Sequence, residues 1–204
     1  MADQTRPSRG RPRSSSRELL EDAAFELFLE NGYVGTTIEH ITQRAGISRN
    51  TFFNYFQSKS DVFWGDVDAS FHALTTCLAG QPRDLPLMVA IHDGLISVAS
   101  GFGPSRVPWI LTQYRLIGNV SELQASAFAR FAQWAGILST FAAVRLGVDP
   151  SSMVPQSIAY ALTGAIVAAA QEWAAAGPSR GELAPYVETA THPICAGFQQ
   201  DLDR

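Results

Sequence analysis

From Arg17 onward, Leu20, Ala24, Leu27 and Phe28 recur at i, i+4, i+7 and i+8, one stripe of a 3.6-residue helix. Asn31-Gly32, which tolerate a left-handed backbone, predict its end. Thr36-Thr37-Ile38-Glu39 reads as a second start, with Thr36 as cap and Glu39 closing a capping box three residues on. Ile38, Ile41 and Ala45 face inward from this short helix until Gly46 breaks it. Ser48 caps a third helix running to about Phe56. Ser58 with Asp61 opens a longer helix over 59–79 that carries Phe63, Val67, Phe71, Leu74 and Leu78 on one face, and Gly80-Gln81-Pro82 stops it. Further helices are predicted over 84–100, 105–118, 121–146, 154–176 and 182–200, separated by breaks that contain Gly or Pro. Strand-type alternation is nearly absent and no solenoid repeat is visible. The expected class is all-α. A basic, disordered arm covers 1–14, a three-helix helix-turn-helix domain 15–60, and a larger helical domain 61–204.

Composition changes this picture little, but charge changes it a good deal. The chain has 204 residues, 46% of them hydrophobic, ample for a core, and a net charge of −4 that taken alone argues against a nucleic-acid partner. The distribution points the other way. Residues 1–17 hold five arginines (Arg6, Arg9, Arg11, Arg13 and Arg17) against one acid, Asp3, whereas residues 65–204 hold 7 basic against 11 acidic side chains. A local basic cluster can contact phosphates while the rest of the chain stays acidic.

Two short helices joined through Gly46 form the helix-turn-helix arrangement. On the second of them Phe52 and Phe56 pair inward at i, i+4, which leaves Arg49, Asn50, Phe53 and Asn54 on the outward faces. These are the side-chain types that read a major groove: Arg for guanine, Asn for adenine, an aromatic edge for the thymine methyl. Thr37, Ser48, Thr51, Tyr55 and Lys59 lie where hydroxyls, an ammonium and a helix N-terminus can hold phosphates. Arg9, Arg11 and Arg13 suit a flexible arm along the minor groove. Double-stranded DNA is the expected partner.

The run TTIEHITQRAGISRNTFFNYFQSKSD, with Thr36, Ala45, Gly46, Ser48, Thr51, Phe52, Phe53, Tyr55, Phe56 and Lys59 at matching spacing, resembles the N-terminal domain of the tetracycline-repressor (TetR) family over residues 17–64. The resemblance implies a ligand-responsive regulator, a repressor by default, bound to a palindromic operator as a homodimer. It also implies base contacts for Arg49, Asn50, Phe53 and Asn54, phosphate contacts for Thr37, Thr51, Tyr55 and Lys59, and a ligand cavity among the middle helices. TFFNYFQSKSDVFWGDVD, LAGQPRDLPL and RLGVDP further resemble regulators of the mycofactocin system, with Trp64-Gly65-Asp66 the most distinctive piece. That narrower resemblance implies a small apolar effector of the long-chain acyl-CoA class. Asn54 stands where that group usually shows Arg, the departure that bears on the operator sequence, and Gln57 and Phe63 stand where it shows Pro.

The larger domain is less explicit. Leu123, Ala127, Phe131, Trp134, Leu138 and Phe141 line one face of the 121–146 helix, with Phe128 adjacent and Met88, Trp109 and Tyr114 on neighbouring helices. Such a stripe is either core or the wall of an apolar pocket, and Met88, Trp109, Tyr114, Phe128, Phe131, Trp134 and Leu138 are the expected pocket set. Arg106, Arg115, Arg130 and Arg145 are candidates for a phosphate-bearing head group. The Ala- and Gly-rich 157–171 segment suits either internal packing or a symmetric seam, and the family resemblance favours a homodimer through residues 154–200. There is no GxSxG, P-loop, GxGxxG or HExxH motif, and His40, His72, His92 and His192 stand apart from carboxylates and thiols. The expectation is no enzyme, no cofactor and no metal. Cys77 and Cys195 are expected as buried free thiols. The N-terminal arginines lead into no apolar segment, and the most apolar stretch, Ile158–Ala170, falls short of a bilayer's width. The expected location is cytoplasmic, without membrane contact.

Overall fold

A computed structural model describes residues 15–113 and 119–204, and the described residues are helical with no strand among them. The chain divides into two compact units, one ending at Val62 and the other running from Phe63 to Arg204.

The first unit contains three helices. Helix α1 (Ser16–Gly35) starts in a reciprocal capping box: the Ser15 hydroxyl accepts from the Glu18 amide at 3.2 Å, and Glu18 accepts from the Ser15 amide at 2.8 Å. Gly32, at φ +70°, interrupts it, and one further turn follows. The Thr36 hydroxyl is buried there, donating to the carbonyls of Leu27 (3.1 Å) and Gly32 (2.9 Å) that the kink would otherwise orphan. The expected cap on the next helix therefore moves by one residue. Helix α2 (Ile38–Ala45) is capped by Thr37, whose hydroxyl accepts from the His40 amide, and His40 rather than Glu39 closes the box. Gly46, at φ +67°, ends α2: Ile47 N–H reaches Thr42 O and Gly46 N–H reaches Gln43 O, the paired bonds of a Schellman cap. Helix α3 (Arg49–Tyr55) is capped by Ser48, whose hydroxyl accepts from the Thr51 amide at 3.1 Å. Leu20, Ala24, Leu27, Phe28, Ile41, Phe52 and Phe56 are buried where the three helices meet, and the Phe52 and Phe56 rings lie 5.3 Å apart.

The second unit does not open with the long helix expected from residue 59. Asp61 accepts from the Gln57 and Ser58 amides, but the turn it starts is a 3-10 helix, Ser60–Trp64, and α4 (Gly65–Ala79) begins after it. Helix α5 (Leu87–Ala99) packs closely on α4, where a Cβ at Gly94 would come within 3.0 Å of Leu78. Of the helix expected over 105–118, the described residues form one turn, α6 (Trp109–Thr112), and residues 114–118 lie outside the described set. Helices α7 (Ser121–Leu146), α8 (Met153–Ala175) and α9 (Ala184–Leu202) complete the unit. Pro185 sits at the start of α9, where its missing N–H costs nothing, and the helix continues through Pro193 because Val187, Thr191 and Cys195 are packed on either side of it. Leu74, Met88, Ile91, Leu138, Ile158, Leu162 and Trp173 form the core.

Helix α8 corrects the reading of Ile158–Ala170 as too short. At 23 residues it is long and apolar enough to cross a membrane by length and composition alone. In the fold Ile158, Ala159, Leu162, Ala169 and Trp173 are buried in a bundle where α8 meets α7 and α9. Cys195 is buried as expected, and Cys77 is only half-buried, with Sγ 3.4 Å from the Ser97 hydroxyl.

Candidate functional site

The sequence expectations converge on the outward face of α3. Arg49, Asn50, Phe53, Asn54 and Tyr55 are all exposed there, with Ser48 and Thr37 exposed at the helix starts and Thr51 half-buried. The Phe53 ring is 44% exposed on a helix whose inward Phe52 is wholly buried, so folding of this unit does not account for its position. Arg49 is paired with Glu39 and lies over the Phe53 ring at 5.6 Å. The Glu39 carboxyl is held below its ordinary range, first by its own backbone N–H and then by the Arg49 charge, so it stays ionised. Arg44 binds Glu26 and Glu30 on α1 at 3.0 and 2.7 Å and fixes α2 on that helix.

Lys59 is placed differently from its fellow phosphate candidates. Its ammonium donates to the carbonyls of Tyr33 (2.7 Å) and Thr36 (2.8 Å) and lies 4.0 Å from the centre of the Tyr33 ring. It places a cation at the C-terminal end of α1, where it complements the helix dipole and joins the Thr36 amide in bonding the Tyr33 carbonyl. Arg9, Arg11 and Arg13 lie outside the described residues, as do Tyr114 and Arg115.

A cavity of about 490 Å³ opens inside the second unit, walled by residues of α4 to α9. Of the residues named from the sequence, Phe128, Phe131 and Trp134 line it. Met88, Trp109 and Leu138 do not. Met88 is buried in the core, Leu138 is sealed in the packing around α7, and Trp109 is stacked on Phe63 at 4.4 Å. The residues that sequence reasoning missed include Trp64, Val67, Leu95, Ile110 and Ile166. Their only advance signal is membership of apolar helical faces, which core residues share. Among the described residues that line the cavity, Arg130 is the one that is charged. It forms a bidentate pair with Asp68 at 2.8 and 2.9 Å, donates to the Ser126 hydroxyl at 2.7 Å and lies 4.8 Å over the Trp64 ring. The indole N–H of Trp64 is buried without a hydrogen-bond partner. Arg106 is taken up by Asp66, and Arg145 by the carbonyls of Pro82, Arg83 and Leu85.

The histidines do not all stand apart. Folding brings His92 on α5 to Glu188 and His192 on α9. The nearby Cys195 thiol is pushed up to about 11 by burial, with a further contribution from the Glu188 charge.

Comparison with known proteins agrees with this two-part layout. A family model described as bacterial regulatory proteins, tetR family, matches residues 20–63, and one described as MftR C-terminal domain matches residues 85–199, more than half of the chain. The mycofactocin biosynthesis transcriptional regulator MftR of Mycobacterium tuberculosis is 29% identical over 164 residues, covering 80% of this chain and 82% of that protein. Among solved structures, FadR of Bacillus subtilis in complex with stearoyl-CoA has a TM-score of 0.60 at 17% identity, covering 88% of this chain and 98% of that one. SmeT, the repressor of a Stenotrophomonas maltophilia efflux pump, in complex with triclosan, has a TM-score of 0.58 at 20% identity, covering 90% and 91%. The helix-turn-helix of α2 and α3, the all-helical second unit and the two family matches together assign the chain to the tetR family of transcriptional regulators, with a C-terminal domain of the MftR type.

Proposed function

We propose that two copies of the chain place their α3 helices in successive major grooves of a palindromic operator, roughly 34–36 Å apart, and that an apolar effector in the cavity releases them. Arg49 reads guanine, Asn50 and Asn54 read adenine, and Phe53 touches a thymine methyl. Thr37, Ser48, Thr51 and Tyr55 hold phosphates, while Arg9, Arg11 and Arg13 follow the minor groove. Lys59 acts one step back, by holding the end of α1. The homodimer forms through α8 and α9. Ser157, Tyr160, Gly164 and Ala168 are exposed along α8, and a Cβ at Gly164 or at Gly197 would meet nothing within 4 Å, which leaves room for a partner helix.

One observation carries the ligand response: Trp64 and Val67, which line the cavity, follow directly on Val62, the last residue of the DNA-reading unit. A ligand that repacks Trp64 acts on the chain at the point where the two units join. It shifts the population only as far as it prefers the released conformer, and near-complete release needs about 10⁴-fold preference, or about 5.5 kcal/mol. The cavity suits a ligand with a long apolar body and an acceptor oxygen. The volume lies in the usual ligand range, the walls are apolar, and the Trp64 N–H supplies a donor. A long-chain acyl-CoA meets this description, with its acyl chain inside and its thioester carbonyl toward Trp64.

The test is binding of the purified chain to the DNA upstream of its own gene, against random DNA, with palmitoyl-CoA or free CoA added. Release by micromolar palmitoyl-CoA but not by CoA is the expected result. Specific binding that ignores palmitoyl-CoA discards that ligand class and keeps the regulator. Equal affinity for random DNA overturns the operator reading.

A further inference from the structure

The His92, Glu188 and His192 side chains offer one ligand atom each, all within 4.8 Å of one another. Glu188 and His192 are four residues apart and share a face of α9, while His92 comes from α5. His92 Nε2 lies 3.0 Å from Glu188 Oε2, and His192 Nδ1 lies 3.6 Å from Glu188 Oε1. A hydrogen bond does not explain the first of these distances. Nε2 is buried and 3.0 Å from the carboxylate, yet it has no hydrogen-bond partner. A buried imidazole nitrogen left unpartnered beside a carboxylate and a second imidazole is what an ion shared by the three would satisfy. Around a tetrahedral centre with bonds of roughly 2.0–2.1 Å, ligand atoms stand about 3.3 Å apart. The three ligand atoms lie within 4.8 Å of one another, and a small turn of the exposed His192 closes the set around one ion.

We propose that His92, Glu188 and His192 bind a divalent transition ion of the zinc class at the seam between α5 and α9, with water in the remaining position. Two imidazoles and one carboxylate suit zinc and its neighbours, whereas magnesium and calcium want oxygen donors throughout. His92 is largely buried and Glu188 and His192 are open to solvent, so the ion enters from the outer side of α9. The site is separate from the ligand cavity but shares its walls. Val187, next to Glu188, lines the cavity, as does Leu95, one turn from His92. A bound ion therefore clamps two of the helices that enclose the effector.

The experiment uses the untagged full chain, stripped by chelator and titrated with zinc chloride or magnesium chloride, with heat of binding and melting temperature as readouts. The expected result is one zinc per chain with a raised melting temperature, and no response to magnesium. His192→Ala and Glu188→Gln each weaken zinc binding by at least ~10-fold. Because His192 is exposed, its variant melts like the parent when zinc is absent, which separates loss of a ligand from loss of the fold. Zinc binding no tighter than magnesium, or equal zinc affinity in the parent and His192→Ala, overturns the site. Neither readout needs DNA or effector, so failure of the proposed regulation leaves this test intact.

Discussion

Arg49 is engaged in the chain without DNA, with Glu39 on one side and the Phe53 ring beneath it. Both partners are exposed, so the pair adds little stability and holds the guanidinium only loosely; in the proposed complex guanine replaces the carboxylate. Arg49→Ala should leave the melting temperature unchanged. It should also remove roughly 1–3 kcal/mol of discrimination at one base position, read by competing the operator against single-base variants. Lys59 should behave in the opposite way. Its ammonium meets two carbonyls at the end of α1, and Lys59→Met leaves them without that donor. Urea denaturation should show a loss of about 1–3 kcal/mol, while the salt dependence of DNA binding keeps the parent's slope. A slope shallower by about one would return Lys59 to the phosphates.

Among the elements, the turn at Gly46 is the most sharply determined. Its φ of +67° favours glycine, yet a Cβ there would meet no atom within 4 Å. Gly46→Ala therefore isolates the backbone cost, about 1–2 kcal/mol in denaturation, and should weaken binding to all DNA sequences alike. This turn, the Ser48 cap and the full extent of α7 were legible in the sequence because each follows from local chemistry. The cap on α2 was not. Thr36 and Thr37 are equally good candidates locally, and the choice falls to two carbonyls at the end of α1 that claim the Thr36 hydroxyl. The start of α4 was missed for a related reason: Ser58 and Asp61 mark a helical turn but do not say whether it is 3-10 or α. The aromatic stripe of α7 was visible, but which neighbour each ring meets depends on how the helix is rotated in the bundle. Leu138 turns into the core while Phe128 and Phe131 turn to the cavity. The seam between α5 and α9 pairs residue 92 with residue 188, and no local spacing announces that.

For the whole molecule, the outer face of α8 is where the proposed homodimer is tested. Gly164 has open space around it within the chain, so Gly164→Trp is accommodated by the monomer and blocks a partner helix. Light scattering after size exclusion should show a dimer for the parent and a monomer for the variant. Helical circular dichroism should be unchanged, and operator affinity should fall to that of a single half-site. A dimeric variant would move the interface off α8. The junction between the units bears on how such regulators can be recombined. Lys59 is bonded to the first unit, Val62 is buried, and Trp64 lines the cavity of the second, all within one short turn. No cut inside 59–64 leaves both halves whole. A hybrid that joins a foreign reading head to this sensor must take the turn entire from one parent and redesign the other parent's packing around it.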